Sequence, residues 1–325
     1  MSPGPSTGRA NPRIGILLKI ASVLGFTLMA ACVKASSAVV VITEVCFFRA
    51  FFALLALLAY AAWKGEFLDA IRTSNPWGHF WRGLLGLTAM SLNFAAIAYL
   101  PLPDAIALGY AAPLFLTILA ALMLGETVRA FRWTAVLIGL FGVLIMLWPR
   151  LSFLKGGGAA TSTETIGALC AIFGAMAVAL GGVVVTRLIV GERSTTVVVY
   201  FSAIGSLGFL LTAPFGWSWP DGWTTALMVL SGLLGGVSQM AMTQAYRYAD
   251  ASTVAPFEYT SMLFGIVLGY FLFGDVPAPT MLLGAMIVIA AGLIVIWREH
   301  ALSVRRVPSP IWPWAMIGVD KHDAG

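Results

Sequence analysis

The sequence predicts an all-α membrane protein of ten transmembrane helices arranged as two inverted five-helix repeats. Three observations predict it. Ten long apolar stretches follow one another along the 325 residues. Only 10% of the residues are charged while 60% are hydrophobic, whereas a water-soluble domain carries about 25% charged residues and would expose far too much apolar surface with this composition. The second five stretches also repeat features of the first five at a constant offset. A bilayer is the natural solvent for such a chain, because helices satisfy their own backbone groups there.

The stretches are read at roughly 20 residues, the length that crosses about 30 Å of hydrocarbon. In order they cover 14–33, 39–63, 80–100, 104–124, 132–148, 166–189, 195–215, 223–246, 252–273 and 280–297. Residues 1–13 are polar, with Pro and Gly, and are expected to be a disordered cytoplasmic tail. The first repeat then spans 14–149. Residues 150–165 carry Gly156-Gly157-Gly158 and read as a flexible linker. The second repeat spans 166–297. Residues 298–325 form a cytoplasmic tail, in which 311–319, with Trp312 and Trp314, is too short to cross and suits the membrane interface. Arg9 and Arg13 ahead of the first apolar run, with Met29-Ala30-Ala31-Cys32 inside it, imitate a cleaved lipoprotein signal. The run is long for a signal, and its removal would leave the first half one helix short of the second.

Lysine and arginine placement sets the orientation. With the amino terminus in the cytoplasm, the inner side receives fifteen of the 19 basic residues, among them Arg13, Lys19, Arg82, Arg187 and Arg298. The outer side receives three, Lys34, Arg150 and Lys155, and Arg49 lies within a span. Both termini are therefore expected in the cytoplasm. The formal net charge of +5 does not point to nucleic acid, since the basic residues punctuate apolar segments instead of clustering on a soluble face. Cys32, Cys46 and Cys170 are scattered, with no CxxC or Cys/His spacing. His79, His300 and His322 fall at a segment edge and in the tail, so no metal site is expected. No GxGxxG, Walker-type or nucleophile motif is present. No cofactor and no ATP hydrolysis are expected, which leaves a coupled proton or an exchanged solute as the driving force for any movement across the membrane.

The repeat emerges at an offset of 149 residues. Gly83-Leu84-Leu85-Gly86 matches Gly232-Leu233-Leu234-Gly235, Tyr110 matches Tyr259, Leu114-Phe115 matches Leu263-Phe264, and Gly125-Glu126 matches Gly274-Asp275. Each unit has five spans, an odd number, so the second unit starts on the opposite side and is inverted. Such repeats give a transporter two gates related by a pseudo-two-fold axis.

Several motifs make this chain resemble the drug/metabolite transporter superfamily, EamA type. In the first half they are Glu44 with Phe47-Phe48-Arg49, then Tyr99-Leu100-Pro101-Leu102-Pro103-Asp104-Ala105, and Ala112-Pro113-Leu114-Phe115 running to Leu124-Gly125-Glu126. In the second half they are Ala255-Pro256-Phe257-Glu258-Tyr259-Thr260, Phe273-Gly274-Asp275 and Leu283-Gly284-Ala285. Asp275 stands where the family's second repeat often has Glu, and the carboxylate is kept. The resemblance implies a ten-helix bundle around a central cavity, lined by spans three, four, eight and nine and parts of one, two, six and seven.

Ionisable groups within spans cost several kcal/mol unless paired or wetted, so each is a candidate. Glu258 lies about two turns into its span, roughly 10 Å from the cytoplasmic end at 1.5 Å per residue. Phe257 and Tyr259 flank it, and Pro256 frees a backbone carbonyl one turn back. It is expected to bind a cation, a substrate donor or a proton, or else to pair with another helix. Tyr110 and Tyr259 are repeat-related, so they could face one cavity and grip a planar or cationic solute. Lys34 and Glu44 sit near the outer boundary, Glu44 as a candidate substrate contact and Lys34 as an outer gate, or the two as a surface pair. Arg49, deeper by over a turn, is a candidate substrate contact for an anion, or it snorkels or pairs internally. Asn93 and Gln239 are polar groups in apolar spans, fit for substrate contact or interhelical bonding. Pro113 and Pro256 interrupt their spans and can serve as hinges.

The expectation is a secondary transporter of a small polar metabolite in a bacterial inner membrane, working by alternating access, with lipid around it and a homodimer compatible with the sequence. The resemblance leans toward import of vitamin- or nucleoside-like solutes, with riboflavin and S-adenosylmethionine as first candidates. Export of amino acids or drugs is the alternative. A membrane enzyme or a non-transporting scaffold is the rival of another class. The first would need a catalytic cluster inside the spans and the second large soluble loops, and neither is visible.

Overall fold

The computed structural model describes residues 12–124, 130–150, 162–188, 194–249 and 251–303. Most of both tails, the glycine run of the linker and Glu126 lie outside the described residues. Among the described residues every regular element is helical. The first half comprises α1 (Pro12–Ser37), α2 (Ile42–Trp63), α3 (Phe67–Ile71), α4 (Pro76–Tyr99), α5 (Leu102–Gly109), α6 (Ala112–Leu124) and α7 (Ala130–Leu147). The second comprises α8 (Ser162–Leu188), α9 (Ser194–Leu210), α10 (Gly222–Tyr248), α11 (Ala251–Val254), α12 (Thr260–Leu268) and α13 (Pro279–Ser303). A 3-10 turn over Ala255–Tyr259 precedes α12, and a π-helical turn over Gly269–Phe273 follows it.

Seven stretches are long and apolar enough to cross a membrane: Arg13–Ser37, Ile42–Trp63, Leu102–Met123, Thr163–Val184, Gly222–Tyr246, Ala255–Phe273 and Pro279–Arg298. Two more apolar helices, Trp133–Leu147 and Thr195–Leu210, are shorter. α4 is 24 residues long and begins with a polar cap, where Asn75 accepts a 2.9 Å bond from the Gly78 N–H and Pro76 occupies the first turn.

Two of the expected spans are broken helices. α5 stops at Gly109 because Pro113, lacking an N–H, cannot bond back to its carbonyl. Tyr110 and Ala111 close the gap with i to i−3 bonds to Ala107 and Leu108, both 3.1 Å. Pro256 acts likewise in the second half, and its missing donor leaves the 3-10 turn that carries Glu258. The seventh expected span ends early, at Leu210, in a series of turns. The short α3 was not foreseen.

Small residues set the packing. α1 lies along α10 and α4 along α8. The repeated glycine motif has a local cause in two crossings: side chains at Gly83 and Gly86 would strike Ile204 and Phe201 of α9, and at Gly232 one would strike Phe52 of α2. Gly142 and Gly284 let α7 and α13 approach. α5 and α12 run antiparallel. The Leu102 N–H meets Asp275, Ile106 lies at Gly265, and Tyr110 meets Ser261. α1 runs parallel to residues 255–275, since Lys19 meets Glu258 and Lys34 meets Asp275.

The interior is built of alanine and of hydroxyls such as Ser22, Ser36 and Ser231, all fully buried. Outside, Trp63, Leu122 and Phe271 are each more than 70% exposed (81%, 74% and 77%). A surface that apolar belongs in lipid. The chain is a multi-pass helical membrane protein.

Candidate functional site

One face of α1 repeats at helical spacing: Lys19, Val23, Phe26, Thr27 and Ala30. The last four line an open cavity of about 380 Å³, bounded elsewhere by Gly109, Tyr110 and Pro113 from the α5–α6 break and by Glu258 and Ser261 from the 3-10 turn and α12. Both broken helices therefore open onto one space.

Glu258 is the acid of this cavity, and its side chain is 50% exposed. It pairs with the ammonium of Lys19, whose side chain is 2% exposed. An ammonium so buried requires a counter-charge. The Tyr246 ring adds to its shell, 5.8 Å from Nζ. The Tyr110 ring, on the cavity wall, stands edge to face with Tyr259, with centroids 5.2 Å apart and planes at 76°, an arrangement worth about 0.5–1.5 kcal/mol beyond burial. Ser261 Oγ donates to the Glu258 carbonyl at 2.7 Å and lies 2.6 Å from the Tyr110 hydroxyl. Its proton being spent on that carbonyl, Ser261 must accept from Tyr110. The chain Tyr110 to Ser261 to Glu258 backbone ties α5–α6 to the 3-10 turn. The cavity can accept a solute with a flat apolar part against Tyr110 and a positive or hydrogen-bonding group at Glu258.

The structure places Glu258, Tyr110 and Pro113 on the wall of this space, with Pro256 in the turn that carries Glu258 and Tyr259 edge to face with Tyr110 but off the wall, its hydroxyl at Gly292 of α13. It does not gather the remaining candidates there. Arg49 and Gln239 line a second, smaller pocket between α2, α4, α9 and α10. Asn93 donates to the Ala89 carbonyl of its own helix at 2.7 Å and packs where Gly174 leaves room on α8. Glu44 is buried and accepts from the Ser218 N–H at 3.2 Å. The expected surface pair between Lys34 and Glu44 is corrected: Lys34 lies 3.4 Å from Asp275 and donates to the Leu100 carbonyl at 2.5 Å. Asp275 in turn accepts the Leu102 N–H at 2.7 Å. A carboxylate that caps α5 while facing the end of α1 draws Lys34 away from its nearer neighbour in sequence.

Lys19 and Arg82 were missed, both having been counted as inner-side charges. The signal for Lys19 was its place six residues inside an apolar run, on the same helical face as Val23 and Phe26. Arg82 is likewise a full turn and more into α4.

A polytopic helical bundle whose interior cavity joins two broken helices is the architecture of a membrane transporter. The chain belongs to the EamA-like transporter family, whose model matches residues 13–148 and again 165–297. It is similar to the S-adenosylmethionine uptake transporter of Rickettsia prowazekii, 28% identical over 79% of this chain and 83% of that one. It is 34% identical to the riboflavin transporter of Rhizobium johnstonii over 71% and 74% of the two chains. It is 28% identical to a pseudopaline exporter of Pseudomonas aeruginosa over 85% and 94%. A solved crystal structure superposes with a TM-score of 0.62 at 19% identity, covering 91% of this chain and 98% of the other, a likeness of fold.

Proposed function

We propose that this protein imports a vitamin- or nucleoside-like solute across a bacterial inner membrane by alternating access, with S-adenosylmethionine and riboflavin the first solutes to test. The observation that carries the reading is the half-exposed Glu258 carboxylate facing Tyr110 where two broken helices meet. Discontinuous helices at a repeat interface are where secondary transporters bind solute. Glu258 anchors the solute's donor or positive group, in competition with Lys19, and Tyr110, backed by Tyr259, holds its flat part. A proton on Glu258 or an exchanged solute supplies the driving force.

Ten crossings in two inverted repeats, at 14–149 and 166–297, complete the proposal, with both termini cytoplasmic. The ten are the seven long stretches, the two shorter apolar helices and α4. The packing supports inversion. Exchange of the halves turns the α1–α10 contact into α8–α4 and the α2–α10 contact into α9–α4. It also relates α5–α6 to the 3-10 turn and α12, which run antiparallel.

The test is uptake of radiolabelled S-adenosylmethionine and riboflavin into sealed proteoliposomes. Saturable accumulation of one of them, cut about tenfold or more by Glu258→Gln at equal protein, is expected. No passage of either solute, or undiminished uptake by the variant, overturns the reading. Export is the second reading, favoured by the match to the pseudopaline exporter over 94% of its length. Vesicles with the protein in opposite orientations separate the two directions.

A further inference from the structure

The second pocket, of about 80 Å³, shares no lining residue with the Glu258 cavity and holds two arginines that have no carboxylate partner among the described residues. Arg49 of α2 and Arg82 of α4 both line it, with Ser202 and Phe201 of α9 and Gln239 and Gly235 of α10. The Nε atoms of both arginines are buried and make no hydrogen bond to a described residue. Neither guanidinium pairs with a carboxylate among the described residues; Arg82 instead lies over the Phe201 ring at 4.6 Å. The Gln239 amide likewise makes no bond to a described residue.

Burying one unpaired charge in a membrane protein is costly, and two of one sign in a single small pocket repel as well. Yet the bundle makes room for both. A side chain at Gly235 would lie 3.3 Å from Arg49 Nε, and one at Gly86 would lie 3.0 Å from Arg82 Nη1. These two glycines are the repeat-related pair of the Gly-Leu-Leu-Gly motif, so equivalent positions on α4 and α10 each seat one arginine. Water alone would fill the volume with two or three molecules at about 30 Å³ each and leave the repulsion in place. One oxyanion would remove it, since a guanidinium fork matches two oxygens of a carboxylate or phosphate.

We infer that this pocket is an anion site that takes a single carboxylate or phosphate group between Arg49 and Arg82, with the Gln239 amide donating to it. The site does not depend on what the larger cavity carries. The oxyanion comes either from free solution or from the carboxylate of a bound solute.

Thermal unfolding of the purified full chain, titrated with sodium phosphate against sodium chloride at equal ionic strength, tests the inference. Phosphate is expected to raise the melting temperature saturably. Arg49→Lys and Arg82→Lys, which keep charge and nearly keep volume, are expected to fold normally and to need about tenfold more phosphate for half the effect. A wild type that responds to phosphate no more than to chloride, or lysine variants that titrate like wild type, overturns the site. Titration with S-adenosylmethionine separates the sources. A response weakened in the lysine variants assigns the carboxylate of that solute, and an unchanged response assigns free anion.

Discussion

α1 meets residues 255–275 at two ends with the same chemistry and different surroundings. Near its start, Lys19 holds Glu258, whose carboxylate is 50% exposed and faces a cavity. Near its end, fifteen residues or about 22 Å further on, Lys34 holds Asp275, and both side chains are 15% exposed. There Asp275 also accepts the Leu102 N–H and Lys34 donates to the Leu100 carbonyl. The protein itself supplies partners to both side chains at that end, which makes the pair a staple between α1, the start of α5 and Asp275. At the other end the carboxylate has oxygen to spare. A lysine–carboxylate pair is thus structural or receptive according to what else can reach it.

The largest effect is expected at the receptive end. Glu258→Gln gives up a charge-assisted bond to solute worth about 1.5–3 kcal/mol, so initial uptake should fall about tenfold to a hundredfold. If Glu258→Gln were silent while Lys34→Ala abolished uptake, the roles of the two ends would be reversed. At the stapled end, Lys34→Ala strands Asp275 and should cost about 1–3 kcal/mol of stability, read as a lower melting temperature with an unchanged KM. A raised KM at constant melting temperature would move that pair into the solute site. Between them, Tyr110→Phe keeps the ring and removes the hydroxyl that bonds Ser261. About 1 kcal/mol of stability is at stake, read as a slightly lower melting temperature, while uptake at graded solute concentration should keep its KM because the ring remains.

The smallest effect calibrates the others. Asp221, outside the bundle, caps α10, and the Thr224 hydroxyl is the main group holding its carboxyl below the usual aspartate range. Its stabilisation is present above the ordinary aspartate pKa and is lost as pH falls below it. Asp221→Asn should therefore flatten the acid side of the melting-temperature profile slightly and leave uptake at neutral pH unchanged.

The helical, membrane-embedded character was legible in apolar run length, and the helix breaks were foreshadowed by Pro113 and Pro256. The offset that equates Tyr110 with Tyr259 named two rings that touch in the fold. Other features were hidden for physical reasons. A count of basic residues by side cannot tell a lysine at the border from one turned inward, so Lys19 and Arg82 were assigned to the inner side. Lys19 meets a carboxylate 239 positions away, and no local pattern encodes that. Lys34 and Glu44 were joined by nearness in sequence, while the fold gave each a different partner.

The central claim is that solute occupies the space where α5–α6 and the 255–259 turn break. The direct measurement is the reaction of Ala112→Cys, on the cavity wall, with a membrane-impermeant maleimide, in a chain whose three native cysteines are serine. Labelling from the Lys19 side of sealed vesicles, slowed by saturating S-adenosylmethionine or riboflavin, is the predicted result. Labelling from neither side, or labelling that neither solute slows, would contradict it.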